Sequence, residues 1–181
     1  MTVVPDIQAK LLGKSIPGEL IRFKFRGRML LGIVAGCDFL RIPSDKVIVV
    51  LEYIPDRPGS AGKFLPMGDY MMAETCLSFG TSHIVVVHPE APTAPDGDER
   101  FDLNGVLQVG DDGRAIRSHS AQDTFNDYTL IIDLGSWKAV QPIFPHSRPR
   151  RIAVLAWELR LITDVPLEPP LSPVFSFAAG G

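Results

Sequence analysis

Alternation of apolar and polar positions is clearest over Glu19–Arg26. In an extended chain, Ile21, Phe23 and Phe25 fall on one face and Arg22, Lys24 and Arg26 on the other. Gly27-Arg28 suits a type II′ turn, which wants glycine at its first central position, and Met29–Val34 returns as the second strand. The pattern therefore predicts a hairpin over Glu19–Gly36. That turn would pair Phe25 with Leu30, Phe23 with Gly32 and Ile21 with Val34. It would also set Arg22, Lys24 and Arg26 opposite Ile33, Leu31 and Met29.

Further strands are expected where β-branched runs end at proline. Lys46–Ile54 closes on Pro55, and His83–His88 closes on Pro89. Residues 101–118 read as a meander with turns at Asn104-Gly105 and Gly110–Gly113, followed by strands at Tyr128–Leu134 and Trp137–Phe144. Arg151–Thr163 fits both a strand, with Ala153, Leu155, Trp157, Leu159 and Leu161 on one face, and a helix. Its β neighbours favour the strand. Ile7–Leu12 reads as one helical turn, residues 55–68 as a Pro/Gly-rich loop, and Asp69–Phe79 as ambiguous with a short helix. Residues 89–100, with three prolines and four acids, read as a flexible solvated loop, and residues 166–181 as an extended proline-rich tail.

Composition agrees with this reading. Sixteen glycines and sixteen prolines in 181 residues punctuate many short strands. The expected fold is all-β or mostly β: an antiparallel small barrel or two-layer sandwich with at most one or two short helices, residues 1–165 forming one compact domain. Met1–Leu12 has no basic stretch leading into a long apolar run, and no segment approaches the roughly 18 apolar residues of a spanning helix. The chain is accordingly expected in the cytoplasm, with Cys37 and Cys76 as free buried thiols rather than a disulfide framework.

Charge divides the chain more sharply than its net −3 implies. Residues 1–63 carry ten Lys/Arg against six Asp/Glu, residues 64–135 three against twelve, and residues 136–181 five against three. The acidic middle argues against a protein that coats nucleic acid. The candidate ligand-binding residues are Arg22, Lys24, Arg26 and Arg28 on the hairpin and a second cluster, Arg148, Arg150 and Arg151.

Motifs that would assign a reaction are missing. His83 and His88 are five apart, so neither a strand nor a helix turns them to one ion, and no metal or other cofactor is expected. Gly80–Ile84 lacks the final glycine of a nucleophile elbow and precedes a strand. No glycine-rich phosphate loop occurs. The favoured function is a non-enzymatic binding or accessory module that uses the outer hairpin face to hold a protein partner or an anionic ligand. Two alternatives stand beside it. One is a hydrolase-like enzyme with a site assembled from His83, His119, His146, Asp38 and Asp133. The other is a structural subunit of a larger assembly.

Overall fold

The computed structural model describes residues 7–52, 61–121, 128–140, 151–162 and 175–179. It is mostly β, as expected. The chain opens with β1 (Gln8–Leu11) and a 3-10 turn, Leu12–Lys14. It continues through β2 (Leu20–Phe25), β3 (Arg28–Gly36), β4 (Lys46–Val50) and β5 (Phe64–Pro66). A single helical turn, α1 (Asp69–Met72), leads into β6 (Thr75–Ser78). Then follow β7 (His83–Val86), β8 (Thr93–Pro95), β9 (Leu107–Gly110), β10 (Gly113–His119), β11 (Thr129–Asp133) and β12 (Lys138–Val140). The last strands are β13 (Arg151–Val154), β14 (Ala156–Leu161) and β15 (Phe175–Ala178).

Twelve strands form one sheet, with the path β1-β6-β2-β3-β12-β11-β10-β9-β13-β8 and with β4 and β5 branching from β3. The branch arises because β3 outruns β2. Val34 still bonds back to the start of β2, but two residues on, the Gly36 N–H donates to the Trp137 carbonyl, so β12 takes over the same edge. The opposite edge of β3 carries β4. On the other side of β5, Phe64 meets the chain just past β10 through an isolated bridge to Ser120 and a bond from the Ala121 N–H, not through a ladder. The sheet therefore does not close into the barrel that was one of the two expected forms.

A three-stranded sheet, β15-β14-β7, is the second unit of sheet. Its inner residues Val85, Trp157, Leu159 and Phe177 share one apolar cluster with Leu31, Ile33, Val49, Ile116 and Ile132 of the large sheet. A second cluster lies on the other side of β3 and β4, where Ile21, Phe23, Phe25, Leu30 and Val34 meet Leu12, Ile48, Met67 and Met71. β3 and β4 are thus buried on both faces, which suits the β-branched run of β4.

The hairpin forms, but its turn is one residue earlier than expected. Arg26 and Gly27 are its central residues, both with positive φ (49° and 78°), the signature of a type I′ turn. Phe25 now pairs with Arg28, Phe23 with Leu30 and Ile21 with Gly32. The register moves by two, so every side chain keeps its face. Arg26 alone leaves the strand row and enters the turn. Gly32 still makes room for Phe23, now diagonally: a Cβ there would lie 3.0 Å from Phe23 Cε1 and 2.5 Å from Ile48 Cγ2.

Other segments differ from expectation for a common reason, pairing with distant chain. Gln8–Leu11 is extended because it pairs with β6, not helical. The acidic 89–100 segment contributes β8, paired with β13, and Ala94 is fully buried. Within the expected loop over 55–68, Phe64–Pro66 pairs with β4. Phe101–Leu103 does not form a strand; a 3-10 turn, Glu99–Asp102, occupies the stretch, and the Asp98 carboxylate accepts from the Arg100 N–H at its start. Within Arg151–Thr163 the described residues are extended at Arg151–Val154 and Ala156–Leu161, as favoured, but a bend at Leu155 sends these halves into different sheets. In the expected tail, Phe175–Ala178 pairs with β14. The expected strand at Trp137–Phe144 is present at Lys138–Val140; residues 141–150 and 163–174 lie outside the described residues.

Candidate basic face of the β2–β3 hairpin

Arg22 and Lys24 project from the face of β2 opposite Phe23, across from Leu31 and Met29. Leu31 and Ile33 are covered by the main apolar cluster. Met29 is not; it is 45% exposed at the tip. The apolar strip beside the cations is therefore sealed at its root by the fold itself and open at its end.

The cations are not equivalent. Arg22 is engaged by Glu52 at 3.4 Å. Arg26, in the turn, places its guanidinium 5.2 Å from the centre of the Phe25 ring. Lys24, Arg26 and Arg28 are all exposed, and among the described residues none of the three has an ion-pair partner. A concavity of about 290 Å³ opens between the turn and α1, lined by Lys24, Phe25, Arg26, Gly27, Tyr70 and Glu74.

Arg151 of the second basic cluster is not brought alongside. Arg151 sits on β13, and the sheet order places β3, β12, β11, β10 and β9 between it and β2. Its Nη2 donates to Asp112 Oδ2 at 2.6 Å, and that bond holds the Asp112 carboxyl below its ordinary value. Arg148 and Arg150 lie outside the described residues.

Among the described residues, those of the alternative enzyme site do not gather in one place. Asp133 Oδ2 accepts from the Ser136 N–H and hydroxyl, shaping a turn. Asp38 lines a different concavity with Asp45, Lys46 and Lys138 and no histidine. His119 ends β10, and its backbone N–H donates to Asn104 Oδ1. His146 lies outside the described residues. His88, not among those expected, meets Glu158 Oε1 at 3.0 Å on the exposed side of the small sheet, and Arg160 holds the other carboxylate oxygen. Among the described residues no three of His, Cys, Asp and Glu gather in a group that could hold a metal ion.

His83 has a structural part instead. Its Nε2–H donates to the Gly18 carbonyl at 2.6 Å, and its ring meets Trp137 edge-on at 5.5 Å. The imidazole thereby ties β7 of the small sheet to the start of the hairpin and to the β11–β12 turn. Its Nδ1 is buried without a partner among the described residues. Burial pushes the ring below its ordinary value of 6.5, against the opposing pull of the Gly18 carbonyl. His119 is lowered as well, by burial first and then by the charges of Arg117 and Lys63. In this range the unfolded chain takes up protons that the folded chain refuses. Stability is therefore complete above 6.5 and is expected to decline as pH falls below it. Urea melts at stepped pH should show this slope, and His83→Gln, which can still donate to Gly18, should flatten it. An unchanged slope in both His83→Gln and His119→Gln would show that neither ring sets it.

Sequence reasoning missed the neighbours of the hairpin. β6 continues the sheet beyond β2, and Leu77 stands opposite Arg22 on the same face. β1 follows, with Ala9 opposite Leu77 and Leu11 opposite Thr75. Leu11 is 47% exposed and Leu77 38%. Both lie in segments whose local pattern admits a helix, so their shared face had no local signal. Compared with known protein families, with characterised proteins and with solved structures, the chain matches none.

Proposed function

We propose that the chain is a non-enzymatic binding module that holds an acidic protein partner on the tip and outer face of the β2–β3 hairpin. One observation carries this reading: Lys24, Arg26 and Arg28 are exposed together, without a counter-ion among the described residues, beside the exposed Met29. The remaining charge supports a local rather than general attraction to anions. The chain as a whole is net −3, and the acids near the other sheet edge are largely paired, Asp98 with Arg100, Asp102 with Arg117 and Asp112 with Arg151. Unpaired surface cations steer and select partners while costing the fold little. The two buried free thiols, Cys37 and Cys76, suit a reducing cytoplasm.

The reading is tested with labelled poly-L-glutamate as the anionic probe. Lys24→Glu/Arg28→Glu should weaken its binding about tenfold or more and flatten the salt dependence. Circular dichroism and the melting temperature should stay at wild-type values, because both side chains are exposed. Equal binding by the wild type and a folded double variant would remove the hairpin from the function.

A further inference from the structure

Resting on the reading above, we infer that the binding surface runs from the hairpin across β6 to β1, and that its occupant is a protein segment carrying both carboxylates and leucine-sized apolar side chains. The sheet register places the groups. Ala9, Leu77, Arg22 and Leu31 form one cross-strand row, through the pairs Ala9–Leu77, Leu77–Arg22 and Arg22–Leu31. Two residues along each strand, on the same face, stand Leu11, Thr75, Lys24 and Met29. Leu11, Leu77 and Met29 are all exposed, and Arg22 and Lys24 stand among them.

The cations of β2 are thus flanked by exposed apolar groups, Leu77 and Leu11 on the β6–β1 side and Met29 on the β3 side. A half-solvated antiparallel sheet ordinarily presents a polar outer face. Here the two edge-side strands contribute leucines at the positions where polar residues would serve. Adjacent strands lie about 4.8 Å apart, so the strip from β1 to β3 is roughly 14 Å wide. A simple anion would use the cations and leave the leucines in water. A helix or an extended segment of a protein spans that width and meets both kinds of group.

Charge decides among larger occupants. A second copy docked by a two-fold axis passing through the hairpin tip would set Lys24, Arg26 and Arg28 near their own equivalents, a repulsive arrangement. A lipid surface, anionic over its whole extent, would meet a chain that is net negative. A short acidic segment with apolar side chains reaches Lys24, Arg26, Arg28 and the exposed leucines without covering the rest of the chain.

The experiment is a selection from a random displayed peptide library against the intact chain, followed by calorimetry on the synthetic peptides recovered. The expected peptides are enriched in Asp or Glu together with Leu, Ile or Phe. Leu77→Glu and Lys24→Glu should each weaken them about tenfold, the first through lost apolar contact and added repulsion. Amide shifts on binding should map to Leu11, Leu77, Lys24 and Met29. Peptides weakened by Lys24→Glu but not by Leu77→Glu would overturn the extended surface and leave the hairpin reading standing. Peptides indifferent to both variants, or without acidic enrichment, would overturn both. Binding to phosphatidylcholine vesicles containing phosphatidylserine that Leu77→Glu abolishes, with no acidic peptide recovered, would overturn the protein occupant in favour of a lipid surface.

Discussion

Gly105→Ala is expected to lose about 2–5 kcal/mol of folding free energy. Two costs add. Gly105 has φ of +82°, where an L side chain costs about 1–2 kcal/mol. The new Cβ would also lie 2.4 Å from Phe177 Cε2 and 2.5 Å from its Cζ. Relieving that overlap inside a packed site costs typically about 1–3 kcal/mol. The ring has little freedom to yield, because Phe177 stacks on Trp157 at 5.5 Å and Trp157 Nε1 donates to the Gly105 carbonyl itself. The Gly105 N–H in turn donates to the Arg117 carbonyl of β10. One glycine thus holds the large sheet, β14 and β15 together. Gly97→Ala is the control: φ is +100°, but nothing lies within 4 Å of the added Cβ, so only the backbone cost of about 1–2 kcal/mol applies. Denaturant midpoints with unchanged m-values measure both. Equal losses at the two positions would mean that Phe177 does not pack against Gly105.

That contact also shows where reading the chain alone stops. Alternation in Glu19–Arg26 correctly places Phe23 and Lys24 on opposite faces, because side-chain parity is a property of each strand by itself. The pairing register depends on which two residues take positive φ. Arg26-Gly27 and Gly27-Arg28 both offer a glycine to the turn, so the pattern tolerates either and the pairing settles two residues away from the expected one. Segments such as Thr93–Pro95 and Phe175–Ala178 have too few residues to show a period at all. They are extended because β13 and β14 offer them an edge. The mixed face has the same origin. Arg22 and Lys24 are legible as a basic row, whereas Leu77 and Leu11 join them only through the β2–β6–β1 pairings, which no local window contains.

Glu19→Ala is the second large expectation, a loss of about 2–4 kcal/mol. Glu19 precedes β2 and is only 4% exposed. Its Oε1 accepts from Lys10 Nζ at 2.7 Å and from the Ile16 N–H at 3.1 Å; its Oε2 accepts from the Ser78 hydroxyl at 2.7 Å. One carboxylate therefore links β1, the lead-in and β6, the two strands that extend the hairpin's sheet. Burial alone would raise its pKa, but the bonds from Lys10, Ser78 and Ile16 outweigh it and bring the group below its ordinary 4.5. A carboxyl held low in the folded state adds stability that is present above 4.5 and is lost as pH falls through the folded value. Removing the side chain strands a buried hydroxyl and a backbone N–H, while the partly exposed Lys10 recovers some hydration. Glu19→Gln keeps the volume and one acceptor but not the charge, so it should fall between Glu19→Ala and wild type and should abolish this acid-dependent component. A double-mutant cycle with Lys10→Met isolates the pair, and a coupling of about 1 kcal/mol or more is expected for a charge-assisted bond this short and shielded. If Glu19→Ala unfolds at the wild-type midpoint, the carboxylate does not anchor β1 and β6, and the strand pairings alone hold their leucines beside Arg22 and Lys24.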